Sequence, residues 1–503
     1  MTSHTNPQND SSKAVLQSVW MIVGCAFCFG ILSRLVSLSF NLDGAVYASL
    51  ARNLAEGVGS MWALKFSDSM FPVFSEHPPL MFWLLSVCFR FFGDSIAVEK
   101  AFSLVTFALS VMLFWQIWIK LNRDDSSVLG AFPFALFFLL IAGRLTWGFA
   151  NGLLENLLCV FSLATILLMI LAYQDLNHKL MDFKRLALIM LAGCLICLSL
   201  LTKGLVGLFP LATPFIYWLA FRKPRWWIIL MDVCVLILVI LGFVYLLHAF
   251  ADSRDAMNRY LESQLLPSLR GDRGSFGGRL NVIRKIIGIN GYAIIIISIF
   301  FYLARKFAWK LKAADTPFSR NQRTFFLLMI ALSSSLPLGL SPRVTNFYFN
   351  PSVFFYASGL AVWGAPAMLA GCSKLSQKMV SWFRNTSLFV LTISIIFVFW
   401  NIGEPGEEAQ AIRHVTTIKQ FVCADGSNCK PNISACDSVW VDWTLQAFLQ
   451  RWYKISLARA DNQDAVFLIA DENCRSIPGF TDTKLDISPY FLLKKNEPSH
   501  EKK

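Results

Sequence analysis

Eleven stretches of this chain, each 16 to 25 residues long, are apolar almost throughout: 15–39, 97–119, 128–143, 152–173, 186–202, 204–221, 228–250, 286–304, 324–340, 352–371 and 385–402. A helix needs roughly 20 apolar residues to cross a hydrocarbon core of about 30 Å, and a soluble core cannot hide so many such runs. The expected fold is a polytopic α-helical membrane protein with about eleven transmembrane helices. Composition agrees, with 55% hydrophobic and 14% aromatic residues and a mean hydropathy of +0.53 over 503 residues. The first run is long, has no small-residue cleavage site and is followed by further spans, so no cleavable signal peptide is expected. The net charge of +13 does not point to nucleic acid, because Lys and Arg fall in short clusters between apolar runs and form no single patch.

Those clusters set the orientation. With the N-terminus (1–14) inside, the cytoplasmic loops are "KLNRDDSS", "QDLNHKLMDFKR", "RKPRWW", "ARKFAWKLKAADTPFSRNQR" and "CSKLSQKMVSWFR", all rich in Lys or Arg. This layout holds only if "LMFWLLSVCFRFFG", residues 80–93, does not cross. At 14 residues it is too short to span, and Pro78 and Pro79 stand where a helix start tolerates a missing N–H. It reads as a juxtamembrane helix in the outer interface, and a short tilted span is the competing account. The outer side then holds a first loop with juxtamembrane helices (40–96), turns at 144–151 and near Lys203, a long loop at 251–285, the connector 341–351, and a tail over 403–503.

Candidate chemistry collects on that side. Asp43 stands just before the helical spacing Val46, Leu50, Leu54, so it is either a plain N-cap or a functional acid. Glu76 and His77 precede the two prolines, and Glu155 lies near the outer end of its span, where an unpaired carboxylate is costly. The 251–285 loop carries six arginines and one lysine against the positive-inside trend. Its glycines at 271, 274, 277 and 278 would let it wrap an anion, although long outer loops also translocate regardless of charge and arginines bind lipid headgroups. Lys203 stands alone between two apolar runs and calls for a phosphate or a carboxylate.

Taken in order, "LDGAVYASLARNLAEG", "EHPPLMFWLL", the acid after "GRLTWGFANGLLEN", and "LLTKGLVG" resemble the successive signatures of the GT-C glycosyltransferases. The protein-mannosyltransferase-like and lipid A aminoarabinose-transferase-like branch is the most similar. The resemblance covers about the first 220 residues and continues more weakly to "SPRVTNFYFNPSVFFYASGLA". It implies a GT-C fold in the inner (plasma) membrane, and transfer of a sugar from a polyprenyl-phosphate donor to a lipid, glycan or protein acceptor on the periplasmic face. It also implies that the helix after the proline pair walls the catalytic cavity. By the same resemblance Asp43, Glu76 and Glu155 are the catalytic acids, with Asp43 as general base or as organiser of the acceptor hydroxyl. Lys203, Arg270, Arg273, Tyr348 and His77 would contact the donor phosphate. Two positions depart from the pattern: Gly44 replaces a second acid, and His77 replaces a lysine, exchanging a permanent cation for an imidazole. A divalent metal is left open, with Asp43, Glu76 and His77 as candidate ligands. His77 and His248 near the outer face belong to no helical His pair, which argues against a structural zinc site.

The tail adds four cysteines, Cys423, Cys429, Cys436 and Cys474. An even set in a segment expected to face an oxidising space reads as two disulfides, with three pairings possible; spacings of six, seven and thirty-eight match no common zinc pattern. Strand-like runs "DSVWVDW" and "DAVFLIAD" suggest a small extracytoplasmic α/β domain over 403–503, with acceptor recognition as a candidate role. The rival reading from another class is a transporter or flippase of a polyprenyl-linked lipid. Such proteins tend to carry midplane acids and repeated halves, whereas here the ionisable groups gather at one face.

Overall fold

In the computed structural model, residues 7–143, 145–174, 182–272, 278–311, 318–423, 431–461 and 464–496 are described. Among them, nine stretches are long and apolar enough to cross a membrane: Lys13–Leu35, Ile96–Asn122, Leu154–Gln174, Phe183–Phe221, Trp226–Ala249, Asn281–Lys306, Arg320–Leu340, Asn346–Ser373 and Gln377–Trp400. The protein is a multi-pass helical membrane protein.

Two differences from the eleven expected spans have physical causes. Phe183–Phe221 contains both 186–202 and 204–221, and it is a hairpin. The 21-residue helix Phe183–Lys203 stops at Gly204, whose φ of 63° is a conformation that a side chain resists. A 3-10 segment, Gly204–Ala212, and the helix Thr213–Phe221 then run back beside it. A Cβ at Gly207 would lie 2.5 Å from the Ser199 carbonyl, so the return leg packs backbone against backbone. Each leg is about 31 Å long, enough to cross. The second difference lies at 128–143, where two short helices, Ser126–Leu129 and Phe132–Leu140, carry the chain across in place of one continuous helix. Phe132–Leu140 is buried on nearly all sides and packs against the first and Asn350–Ser373 helices, so protein covers it where lipid otherwise would.

The chain forms two compact units that do not follow sequence order. The membrane unit comprises Met1–Val36, Glu76–Met81 and Lys100–Ile402. At its centre is the Asn346–Ser373 stretch, with 78% of its apolar window buried, while only 17% is buried in Asn281–Lys306 and Gln377–Trp400. The peripheral helices turn Ile287, Ile295, Phe389, Ile396 and Phe399 outward, as a lipid-facing surface requires.

The second unit comprises Ser37–Ser75, Phe82–Glu99 and Gly403–Lys503. Its five-stranded sheet has the order β2-β1-β3-β5-β4, with β1 (Ile433–Ala435), β2 (Leu457–Arg459), β3 (Phe467–Ala470), β4 (Phe480–Asp482) and β5 (Phe491–Lys495). Strand β1 is parallel to β2 and β3, and β5 is antiparallel to β3 and β4. The helix Trp443–Tyr453 makes the crossover from β1 to β2, which parallel pairing demands. The run 464–471 supplies β3 as expected. The run 437–443 does not form a strand: directly after β1 the Cys436 carbonyl accepts from Val439 and Trp440 N–H, starting the short helix Asp437–Trp440. Cys436 and Cys474 form a disulfide and Cys423 is also disulfide-bonded; Cys429 lies outside the described residues.

Residues 80–93 form the 13-residue helix Leu80–Phe92, about 20 Å long and short of a membrane crossing. Phe82 and Phe89 face inward, with Phe82 edge-on to Tyr47 and Phe74, while Leu84, Val87, Phe91 and Phe92 are exposed. An apolar face left open on so short a helix suits the surface of a bilayer.

Candidate active site

In the membrane unit, Glu155 occupies the first turn of Leu154–Gln174 and Lys203 the last turn of Phe183–Lys203. The partial positive charge at a helix N-terminus favours the acid, and the negative C-terminus favours the base. The Lys203 ammonium donates to the Glu155 carboxylate, and both side chains are buried, 9% and 2% exposed. Lys203 Nζ also sits 4.3 Å from the centre of the Tyr348 ring and 5.8 Å from that of Phe347. Three expected site residues, Glu155, Lys203 and Tyr348, thus meet at one end of the bundle.

Other segments assigned to the same side converge there. Tyr260, from the 251–285 segment, places its hydroxyl where a Cβ on Gly204 would stand, 2.1 Å from that position. Lys285 Nζ donates to Asn346 Oδ1 at 2.8 Å, and Pro342 lies against Gly271. Burial pushes the Tyr260 phenol up to about 12, so it is a neutral hydrogen-bond donor at physiological pH. Neither Tyr260 nor Lys285 is singled out by a motif; the signal for Tyr260 is the glycine after Lys203, whose missing side chain makes room for the ring.

Asn156, next to Glu155, donates from Nδ2 to the carbonyls of Gly148 and Phe149 at 3.2 and 3.3 Å. These bonds fix the turn that feeds Glu155 into its helix. Arg270 ends the helix Leu266–Arg270 and is exposed, and Arg273 lies outside the described residues. Glu76 and His77 are half-buried in the membrane unit, immediately before Pro78.

Asp43 belongs to the second unit, in the first turn of the helix Leu42–Ala55. It is not the N-cap. Asn41 has that role, its side chain accepting from the Asp43 N–H, so the capping account of this acid is replaced. The candidate metal ligands are therefore divided, Asp43 in one unit and Glu76 with His77 in the other. Among the described residues, one trio of potential ligand groups lies closely together, Cys436, Asp471 and Cys474, and its two sulfurs are joined as a disulfide.

No protein-family model and no curated protein matches the chain. Solved structures do. ArnT from Cupriavidus metallidurans bound to undecaprenyl phosphate is similar over 94% of this chain and 97% of its own, at 14% identity and a TM-score of 0.61. The same protein in the apo state covers 95% and 97% with a TM-score of 0.59. The Archaeoglobus fulgidus oligosaccharyltransferase in complex with Zn and sulfate is similar over 91% of this chain and 68% of its own, at 14% identity and a TM-score of 0.50. The chain has the GT-C fold that these glycosyltransferases share.

Proposed function

We propose that this protein is a membrane glycosyltransferase that moves a sugar from a polyprenyl-phosphate donor to an acceptor on lipid, glycan or protein. The site would face the periplasm from the inner membrane, as the basic loops at the opposite end suggest. The observation that carries the reading is the buried Glu155–Lys203 pair under Tyr348, in a fold that ArnT uses to bind undecaprenyl phosphate. A buried lysine paired with a carboxylate and flanked by a neutral phenol, Tyr260, is suited to an anionic headgroup.

The chemistry required is a displacement at the anomeric carbon. The carbon–oxygen bond to the phosphate breaks, the acceptor oxygen forms the new bond, and the acceptor proton passes to a base. Asp43 is assigned that proton. Lys203 is assigned the charge that develops on the departing phosphate, with Arg270, Arg273, Tyr348 and His77 as further contacts. Glu155 orients Lys203 by accepting from its ammonium until the phosphate shares it. Glu76 is assigned as a further catalytic acid.

The test is a transfer assay in nanodiscs with a panel of radiolabelled polyprenyl-phosphate sugars and membrane extract as acceptor. Wild-type protein is expected to move one label, and correctly assembled Asp43→Asn to lose at least about 100-fold in turnover, the scale of a lost general base. Wild-type turnover by Asp43→Asn would remove the base assignment; no transfer with any donor would turn attention to lipid flux in sealed vesicles.

A further inference from the structure

The C-terminal segment contributes no residue to the proposed chemistry, yet it grips the helix carrying Asp43 at both ends. At the N-terminal end, Leu38 N–H donates to the Glu404 carbonyl at 2.8 Å and the Ser39 hydroxyl bonds to the Glu408 carboxylate. Phe40 stands edge-on to Trp452, with ring centres 6.1 Å apart. At the other end the contact is more specific. Arg52, only 1% exposed, donates from Nη1 to the carbonyls of Gln450 and Arg451 at 2.9 and 3.0 Å.

Those carbonyls belong to the last turn of Trp443–Tyr453, where the helix carries partial negative charge, and the Gln450 carbonyl also accepts from the Lys454 N–H at 3.1 Å. Arg52 Nε and Nη2 meet Asn53 Oδ1 at 3.3 and 2.9 Å, and Asn53 Nδ2 donates to the carbonyls of Lys65 and Phe66 at 2.8 and 2.9 Å. Gln450 Nε2 reaches the same Phe66 carbonyl at 2.7 Å. Arg451 is held in turn, by Glu99 Oε1 at 2.8 and 3.0 Å and by Asp94 at 3.0 Å. Burial and the neighbouring Arg451 lower Arg52 to about 10, which leaves it charged at neutral pH.

We propose that the C-terminal segment positions Asp43, and that Arg52, bonded to the last turn of Trp443–Tyr453, is the positioning residue through which it does so. This rests on the reading of Asp43 as the base. Nine residues of continuous helix, about 13 Å, separate Arg52 from Asp43, so a shift at one end is passed along a stiff rod to the other. Displacement of a reacting group by about 1 Å costs on the order of 100-fold in rate.

The experiment uses full-length protein in nanodiscs under single-turnover conditions with enzyme in excess, comparing wild type, Arg52→Met, Asp43→Asn and the double variant. Arg52→Met is expected to lower turnover by about 10- to 100-fold while donor KM stays within about twofold. In the Asp43→Asn background it is expected to add no more than about a twofold loss, because both changes act through one group. Arg52→Lys is expected to recover part of the rate, since an ammonium can still reach the two carbonyls. A full additive loss in the double variant, or wild-type turnover in assembled Arg52→Met, overturns the proposal. If Arg52→Met does not assemble, Arg52→Gln, which keeps a polar side chain but is too short for both carbonyls, is carried through the same cycle with the same criteria. Wild-type turnover by Asp43→Asn would overturn the base reading itself, a result distinct from additivity with Asp43 still required.

Discussion

Glu155 and Lys203 show how one buried contact can serve both stability and chemistry. Removing one member of such a pair strands a charge in a low-dielectric interior, typically at a cost of about 3–5 kcal/mol, whereas removing both can be nearly neutral. Glu155→Gln and Lys203→Met are each expected to lower the melting temperature in detergent, and the double variant to recover most of the loss. Additive losses would show that the two groups do not depend on each other. Both residues can be singled out in the sequence, because a carboxylate and an ammonium bordering apolar runs need partners. Their mutual pairing cannot, since 48 residues separate them and only packing decides which opposite charge each one meets. Asp43 was equally visible, and its role as cap passed to Asn41 because backbone dihedrals, which no residue type dictates, put the helix start two positions earlier.

At the scale of elements, the expected end of the bundle opposite Lys203 is tied by a second charged cluster. The Asp125 carboxylate caps Ser126–Leu129 through Val128 N–H and receives Arg320 Nε and Arg323 Nη2, each at 2.9 Å. Burial alone would raise its pKa, but Arg320, Ser127, Arg323 and the Val128 N–H together hold it well below the usual carboxylate range. A depressed folded value means stability that is complete above the unfolded value of about 3.9 and lost as pH falls toward the folded one. The melting temperature is therefore expected to fall below about pH 4 more steeply in wild type than in Asp125→Asn, which is less stable at neutral pH. Equal slopes would remove the carboxylate from the account. Hydropathy located the helices well, but it split Phe183–Phe221 correctly only because Lys203 and Gly204 interrupt the run. It also located 128–143, which runs from the Asp125 end to the Glu155 end as two short helices and is apolar because protein walls most of it.

For the whole molecule, the second unit joins three distant pieces of chain, so its integrity depends on the tail. The Cys436–Cys474 disulfide closes a separation of 38 residues within it, a loop worth about 4 kcal/mol in chain entropy. Cys436→Ser is expected to destabilise the unit by about 2–4 kcal/mol and to raise protease sensitivity within 403–496, with the membrane helices still protected. Unchanged proteolysis would show that the sheet holds without this bond. The even cysteine count anticipated disulfides, but three pairings fit it equally. By itself the sequence determined the membrane class, the loop charges, the short helix after Pro79 and the candidate acids and bases, because these follow from local periodicity and the cost of charge in an apolar run. Only the tertiary structure decided that Lys203 meets Glu155 and Tyr348, and that Arg52 meets the carbonyls of Gln450 and Arg451. Those partners lie 48, 145 and about 400 residues away, and long-range packing, not local preference, selects among many groups of equal chemistry.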